Sequence, residues 1–199
     1  EDTYWLVFEL LWRDFFQFQF LKHGSDFFTR SGIRGVEKRW REDREDFRRW
    51  ADGETGVPFV DANMRELNAT GYMSNRGRQN VASFLADFLE IDWRLGAAYF
   101  ESRLVDYDVC SNWGNWAYQA GVGNDSRDNY FYVLGQAERY DPDAEYVEHW
   151  LPELEPLPSE YAHHPWRMSD AEQAEYGVRL GLDYPAPITD PDERYDEMR

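Results

Sequence analysis

The chain has 199 residues, thirty-nine Asp and Glu against twenty-one Lys and Arg, and a formal net charge of −18, with nine Trp among an aromatic share of 18%. So acidic a surface repels phosphate and weighs against general nucleic-acid binding, while the scarcity of lysine (only Lys22 and Lys38) fits a protein built for concentrated salt, where repulsion is screened. A single cysteine, Cys110, excludes an intrachain disulfide and points to a reducing compartment, and the start EDTYWLVF lacks the basic segment of a signal peptide.

Residues 4–8 are apolar, but Glu9, Arg13 and Asp14 interrupt them too early for a membrane span, so a soluble cytoplasmic chain is expected. Trp5, Phe8, Trp12 and Phe15 or Phe16 recur at spacings of three and four, which predicts a buried helix over 3–22 with one wide aromatic face. Because the chain opens inside this helix and without Met, it is expected to be part of a longer protein. Gly24, Gly32 and Gly35 make 23–36 a loop. The dense mixed charge of 37–51 predicts a solvated helix with Trp40, Phe47 and Trp50 on one side. After a loop at 52–58, Asp61 is the expected N-cap of a helix through Leu67 that Gly71 ends.

Further helices are predicted over 75–89 (stripe Val81, Phe84, Leu85, Phe88), from Asp92 through Val105, near 112–121, and around 131–139 and 143–151. Beyond Leu154 six prolines appear, and 155–199 reads as a tail wrapping the domain, with one helix near 169–180 and a disordered end. No stretch alternates with period two. The expectation is an all-α fold, with residues 1–154 as one helical domain.

Several polar residues stand out against this pattern. Asn75 and Arg78, three apart, put an amide and a fixed cation on one helix face, and spacing alone favours a surface charge for Arg78. Asp106 and Asp108 flank Tyr107 and suit either helix capping or acceptance of ligand N–H and hydroxyl groups. Glu9 and Trp12 are i,i+3 neighbours, readable as an exposed acid and core or as a hydrogen-bonding and stacking pair. Each Trp, as a plain residue, reads as core. Cys110 has no partner cysteine or nearby His and reads as small core, and the pair His163–His164 lacks metal-ligand spacing.

The segments MRELNATGYMSNRGRQNVASFL (64–85) and IDWRLGAAYFESRLVDYDVCSNWGNWAY (91–118) closely resemble the photolyase/cryptochrome family. FELLWRDFF (8–16), GETGVPFVDANMREL (53–67), YDPDAEYVEHWLPEL (140–154), HHPW (163–166) and YPAPIT (184–189) fit in the same order, and NRGRQNVASF and DVCSNWGNW are most similar to the DASH-type cryptochromes. The resemblance covers the C-terminal, helical flavin domain. It implies FAD as cofactor. It also implies that an α/β half carrying a folate-type antenna pigment, and the Ser/Thr-rich loop for the flavin diphosphate, lie upstream of Glu1.

By the same resemblance Asn75, Arg78, Asp106, Asp108 and Asn112 line the flavin, with Arg78 in a buried pair with Asp106. Asn112 faces flavin N5 where plant cryptochromes carry an aspartate, which favours a fully reduced, photolyase-like flavin. Trp116, Trp93 and Trp40 match an electron relay. Glu9, Trp12, Arg13, Asn75, Gln79 and Tyr118 match the face that meets damaged DNA; Tyr118 replaces the second Trp of the Trp-x-Trp of double-strand-repairing relatives, which fits a preference for single-stranded DNA. The implied activity is light-driven splitting of cyclobutane pyrimidine dimers. The alternatives are a blue-light receptor and a fragment that binds no flavin. Neither a metal nor a membrane partner is expected.

Overall fold

The computed structural model describes residues 2–125 and 130–199. Among them the fold is all-α, with two isolated bridges (Arg41 with Ile91, Leu180 with Tyr184) in place of a sheet. The helices are α1 (Asp2–His23), α2 (Arg44–Asp52), α3 (Pro58–Thr70), α4 (Asn75–Ser83), α5 (Trp93–Arg103), α6 (Val109–Gln119), α7 (Val133–Tyr140), α8 (Glu145–Trp150), α9 (Ser159–His163), α10 (Asp170–Tyr176) and α11 (Pro191–Glu197). None of the described helices is long and apolar enough to cross a membrane.

Where helices start is decided by caps. The charged run at 37–51 does not become one helix: Asp43 accepts from Glu45 N and Asp46 N, so α2 starts at Arg44. The residues before it run extended, with Arg41 N donating to Glu90 O at 2.7 Å, and Trp40 therefore lies outside α2. α3 starts earlier than expected, with Pro58 in its first turn. Asp61 is not its cap. It is fully buried inside α3 and accepts from Thr55 N (2.7 Å), Thr55 Oγ1 (2.6 Å), Gly56 N (2.9 Å) and Tyr184 OH. Burial, the largest influence, pushes its carboxyl up to about 6 against the opposing pull of these four bonds.

The helix expected over 75–89 changes pitch halfway. After α4 the chain makes a wide π turn over Phe84–Phe88, Leu89 N reaches back to Phe84 O, and Phe84 stacks on Phe88 at 4.4 Å. α6 begins at Val109 because Asp108 accepts from Ser111 N at 2.8 Å.

The core lies between α2, α3, α4, α5 and α6. Trp50, Leu67, Val81, Leu85, Trp93 and Phe100 are buried there, and the Trp50 indole N–H donates to Val81 O at 3.0 Å. Two glycines set the spacing of the helices that build the site. A Cβ on Gly96 of α5 would meet the Trp116 ring, and one on Gly114 of α6 would meet the Phe16 ring, so α5 lies close on α6 and α6 close on α1.

Two expectations fail. The aromatic helix α1 is not buried: Phe16 is covered, whereas Trp5 and Leu11 are each 60% exposed and Leu21 is 82% exposed. Its ring contacts run largely along its own length, as Phe8–Trp12 and Trp12–Phe15. The C-terminal end is not disordered either. Asp190 caps α11, Tyr195 is buried with its hydroxyl accepting from Val133 N at 3.3 Å, and Arg194 Nε donates to Phe88 O at 3.0 Å.

Candidate functional site

α1, α4, α5 and α6 leave a cleft of about 590 Å3 between them, a volume in the ordinary range for a small-molecule site. From α1 come Glu9, Trp12 and Arg13, and from the first turns of α4 come Asn75, Arg78 and Gln79. The α5–α6 connection supplies Asp106 and Asp108, and α6 supplies Asn112, Trp116 and Tyr118. Every residue that the resemblance assigns to the flavin, the relay or the DNA face lines this one cleft except Trp40 and Trp93.

α4 brings its polar groups to the cleft through its N-terminus. Ser74 caps the helix by accepting from Gly77 N at 3.0 Å. One turn on, Arg78 is fixed from two sides: its Nε donates to Met73 O at 2.8 Å, and its Nη2 donates to both oxygens of Asp106 at 3.0 and 2.9 Å. The expected ion pair therefore forms, but it is not buried. The Asp106 side chain is 51% exposed, which places the pair at the lip, where salt screens it. Asp108 lines the cleft and also caps α6.

Asn112 is almost fully buried, and its Nδ2 donates to Ala97 O at 2.9 Å. A backbone carbonyl can only accept, which fixes the amide's orientation and leaves Oδ1 as its uncommitted acceptor. Trp116 forms part of the wall, edge-on to Phe100 at 5.1 Å and to Trp50 at 6.0 Å. Trp12 lines the cleft from an exposed helix and is not the core residue that the plain reading made it. Arg13 holds Asp14 at 3.1 Å, and the Tyr118 hydroxyl donates to Asp125 Oδ2 at 3.2 Å.

The two tryptophans outside the cleft differ from each other. Trp93 is fully buried, with its N–H donated to Arg30 O at 3.3 Å. Trp40 is half-buried in a separate, shallow depression lined by Arg30, Lys38, Arg39, Arg41 and Glu90. Among the residues that sequence reasoning missed, three stand out. Tyr107 and Phe100 line the cleft, and Trp113 stands edge-on to Trp93 at 5.8 Å. Tyr107 was signalled only by its two acidic neighbours, and Trp113 only by sitting three residues before Trp116. Cys110 is partly exposed rather than core, and burial, then the Asp108 carboxylate, raise its thiol above its ordinary range.

A cleft built from the ends of packed helices, with an arginine–carboxylate clamp, an oriented neutral amide and an aromatic wall, suits a planar, hydrogen-bonding cofactor. Consistent with this, the family described as the FAD-binding domain of DNA photolyase matches residues 5–199, and the chain belongs to that family. Within it the chain is most like the DASH-type cryptochromes. It is 73% identical over 198 residues to the cryptochrome DASH of the halophile Natronomonas pharaonis, an alignment covering all of this chain and 42% of that protein. The crystal structure of a Synechocystis sp. PCC6803 cryptochrome superposes with a TM-score of 0.95 at 56% identity, over 99% of this chain and 41% of that one. A bacterial class III photolyase from Agrobacterium tumefaciens gives 0.85 at 38% identity, over 95% of this chain and 40% of that one. The chain thus spans about two fifths of the length of the relatives it matches.

Proposed function

We propose that the cleft holds the isoalloxazine and ribityl part of FAD, and that the domain serves light-driven splitting of cyclobutane pyrimidine dimers in single-stranded DNA. The observation that carries this reading is the convergence on one cleft of the Arg78–Asp106 pair, the oriented Asn112 amide and the aromatic side chains of Trp12, Trp116 and Tyr118. Bound, reduced FAD supplies the reversible, blue-light-driven transfer of one electron to the dimer.

The chain's share is binding, orientation and exclusion of water. Asn75, Arg78, Asp106 and Asp108 would hold the ring edge and the polyol with fixed donors and acceptors. Asn112, oriented by the bond from its Nδ2 to Ala97 O, would turn its acceptor oxygen to a ring N–H and has no titrating proton to supply. That suits a fully reduced ring and sets Asn112 apart from an aspartate, which could protonate it. Trp12 and Tyr118 offer stacking faces, and Glu9, Arg13 and Gln79 offer polar contacts, to a base brought out of the strand. Tyr118 is a smaller platform than Trp, and unpairing costs least when the target is already single-stranded. Trp116 and Trp93 would carry the inner steps of a relay that keeps the flavin reduced, and Trp40 is the outer member the resemblance implies.

The test is to purify the protein in high salt, record flavin absorbance, and illuminate it with dimer-containing single-stranded DNA. Flavin absorbance together with loss of dimers is the expected result. Bound flavin with intact dimers would move the reading to a light receptor, and no flavin would overturn both.

A further inference from the structure

Trp113 lies one turn before Trp116 on α6, is half-buried, and does not line the cleft. Its ring stands edge-on to the buried Trp93 at 5.8 Å with an interplanar angle of 76°, and edge-on to Phe28 at 4.9 Å. Its indole N–H donates to Glu101 Oε2 at 2.9 Å. Glu101 is exposed on α5, so its carboxylate joins this indole directly to solvent. The same carboxylate acts on the Tyr107 hydroxyl, which burial first and the Glu101 hydrogen bond second push up to about 12.

The surroundings of the three outer indole N–H groups decide what each can do when oxidised. A tryptophan that loses an electron becomes a much stronger acid at Nε1. If a base stands within hydrogen-bond reach, the proton leaves and the electron cannot simply return. The Trp93 N–H faces the backbone carbonyl of Arg30, which is no base. Among the described residues, Trp40 Nε1 is buried with no hydrogen-bond partner. Trp113 alone of these three faces a carboxylate.

We propose that Trp113 is the outer electron donor to Trp93 and that Glu101 takes up its proton. The proposal rests on the flavin relay of the proposed function, whose oxidant is a photoexcited, oxidised flavin that takes one electron by way of Trp116. Trp93 passes on one electron and regains one from Trp113. Trp113 then releases its Nε1 proton to Glu101. The balance is one electron taken by the oxidant, one neutral tryptophan radical at position 113 and one protonated carboxyl at position 101, with no carbon bond made or broken. Trp40 is then a side branch without a proton outlet.

The experiment is transient absorption and time-resolved electron paramagnetic resonance on the flavin-loaded protein, comparing the parent with Trp113→Phe, Glu101→Gln and Trp40→Phe. Glu101→Gln is an exposed change that keeps a hydrogen-bond acceptor but removes the base. The deprotonated, long-lived tryptophan radical is expected in the parent and in Trp40→Phe and is lost in Trp113→Phe and Glu101→Gln. An unchanged radical in Trp113→Phe, or its loss in Trp40→Phe, overturns the proposal while leaving the flavin relay standing. No tryptophan radical in the parent overturns the relay reading itself, and this proposal with it. A second readout needs no flavin. The Trp113 indole N–H resonance should move on Glu101→Gln as a charge-assisted bond becomes a neutral one, and a fixed resonance overturns Glu101 as the acceptor.

Discussion

α1 and the α5–α6 pair are both rich in aromatic rings, yet they use them in opposite ways. On α5 and α6, Trp93, Phe100 and Trp116 are buried, and small residues at Gly96 and Gly114 let neighbouring rings approach. On α1, Phe16 reaches the body while Trp5, Leu11 and Leu21 stand in solvent. Spacing defines an apolar face but does not say what covers it. Coverage needs a surface of matching shape on another element, and for α1 the described helices supply that surface chiefly where Gly114 admits Phe16.

This contrast can be broken by mutation. Trp50→Ala in the body leaves a cavity and removes the indole bond to Val81 O, and should cost about 3–5 kcal/mol in urea unfolding. A cost no larger than that of an α1 substitution would erase the distinction. Next in size is a pH effect on the body. The Asp61 carboxyl is raised above its unfolded value of 3.8 to about 6, so between these pH values the folded protein binds more protons than the unfolded one. The stability advantage of the parent over Asp61→Asn should therefore shrink as pH rises from about 4 to 6, by about 2–3 kcal/mol in all. An advantage that grows with pH would mean that the four donors around Asp61 outweigh its burial.

Smaller effects are expected on α1. Trp12→Ala should weaken binding to dimer-containing single-stranded DNA by about 1–3 kcal/mol, the worth of one stacked base, without changing folding stability. Binding to the parent should also fall only gently with added salt, because so acidic a surface has few phosphate contacts to lose. A steep salt dependence, followed by fluorescence anisotropy, would show that phosphates and not stacking dominate. Trp5→Ala should change unfolding free energy by no more than about 0.5 kcal/mol. A larger loss would mean that α1 is held in a way the surrounding helices do not explain.

Most of the helical pattern was legible because aromatic and aliphatic residues recur at three and four on α1, α4 and α5. The starts of α2, α3 and α6 were not. Asp43 and Asp108 look like any other acid in a charged chain, and only the backbone N–H groups they accept from mark them as caps. Asp61 misled for the same reason, since the residues that make it a buried acceptor, Thr55 and Tyr184, come from a preceding loop and from a distant segment. The cleft was read through motif resemblance, which names residues and one pair but not their exposure. It placed Arg78 with Asp106, yet could not show that this pair sits at an open lip. Trp113 escaped because its meaning lies in a ring contact to α5 and a hydrogen bond to Glu101, neither of which spacing encodes.

The docking of α11 on the wide turn after α4 reaches further than its place at the end of the sequence implies. Arg194 donates to Phe88 O and pairs with Glu90 at 3.0 Å, and the Tyr195 ring rests on Phe88 at 5.0 Å. These contacts buttress the far end of the helix that presents Asn75, Arg78 and Gln79 to the cleft. A protease nick ahead of α11 would remove that buttress without touching the cleft.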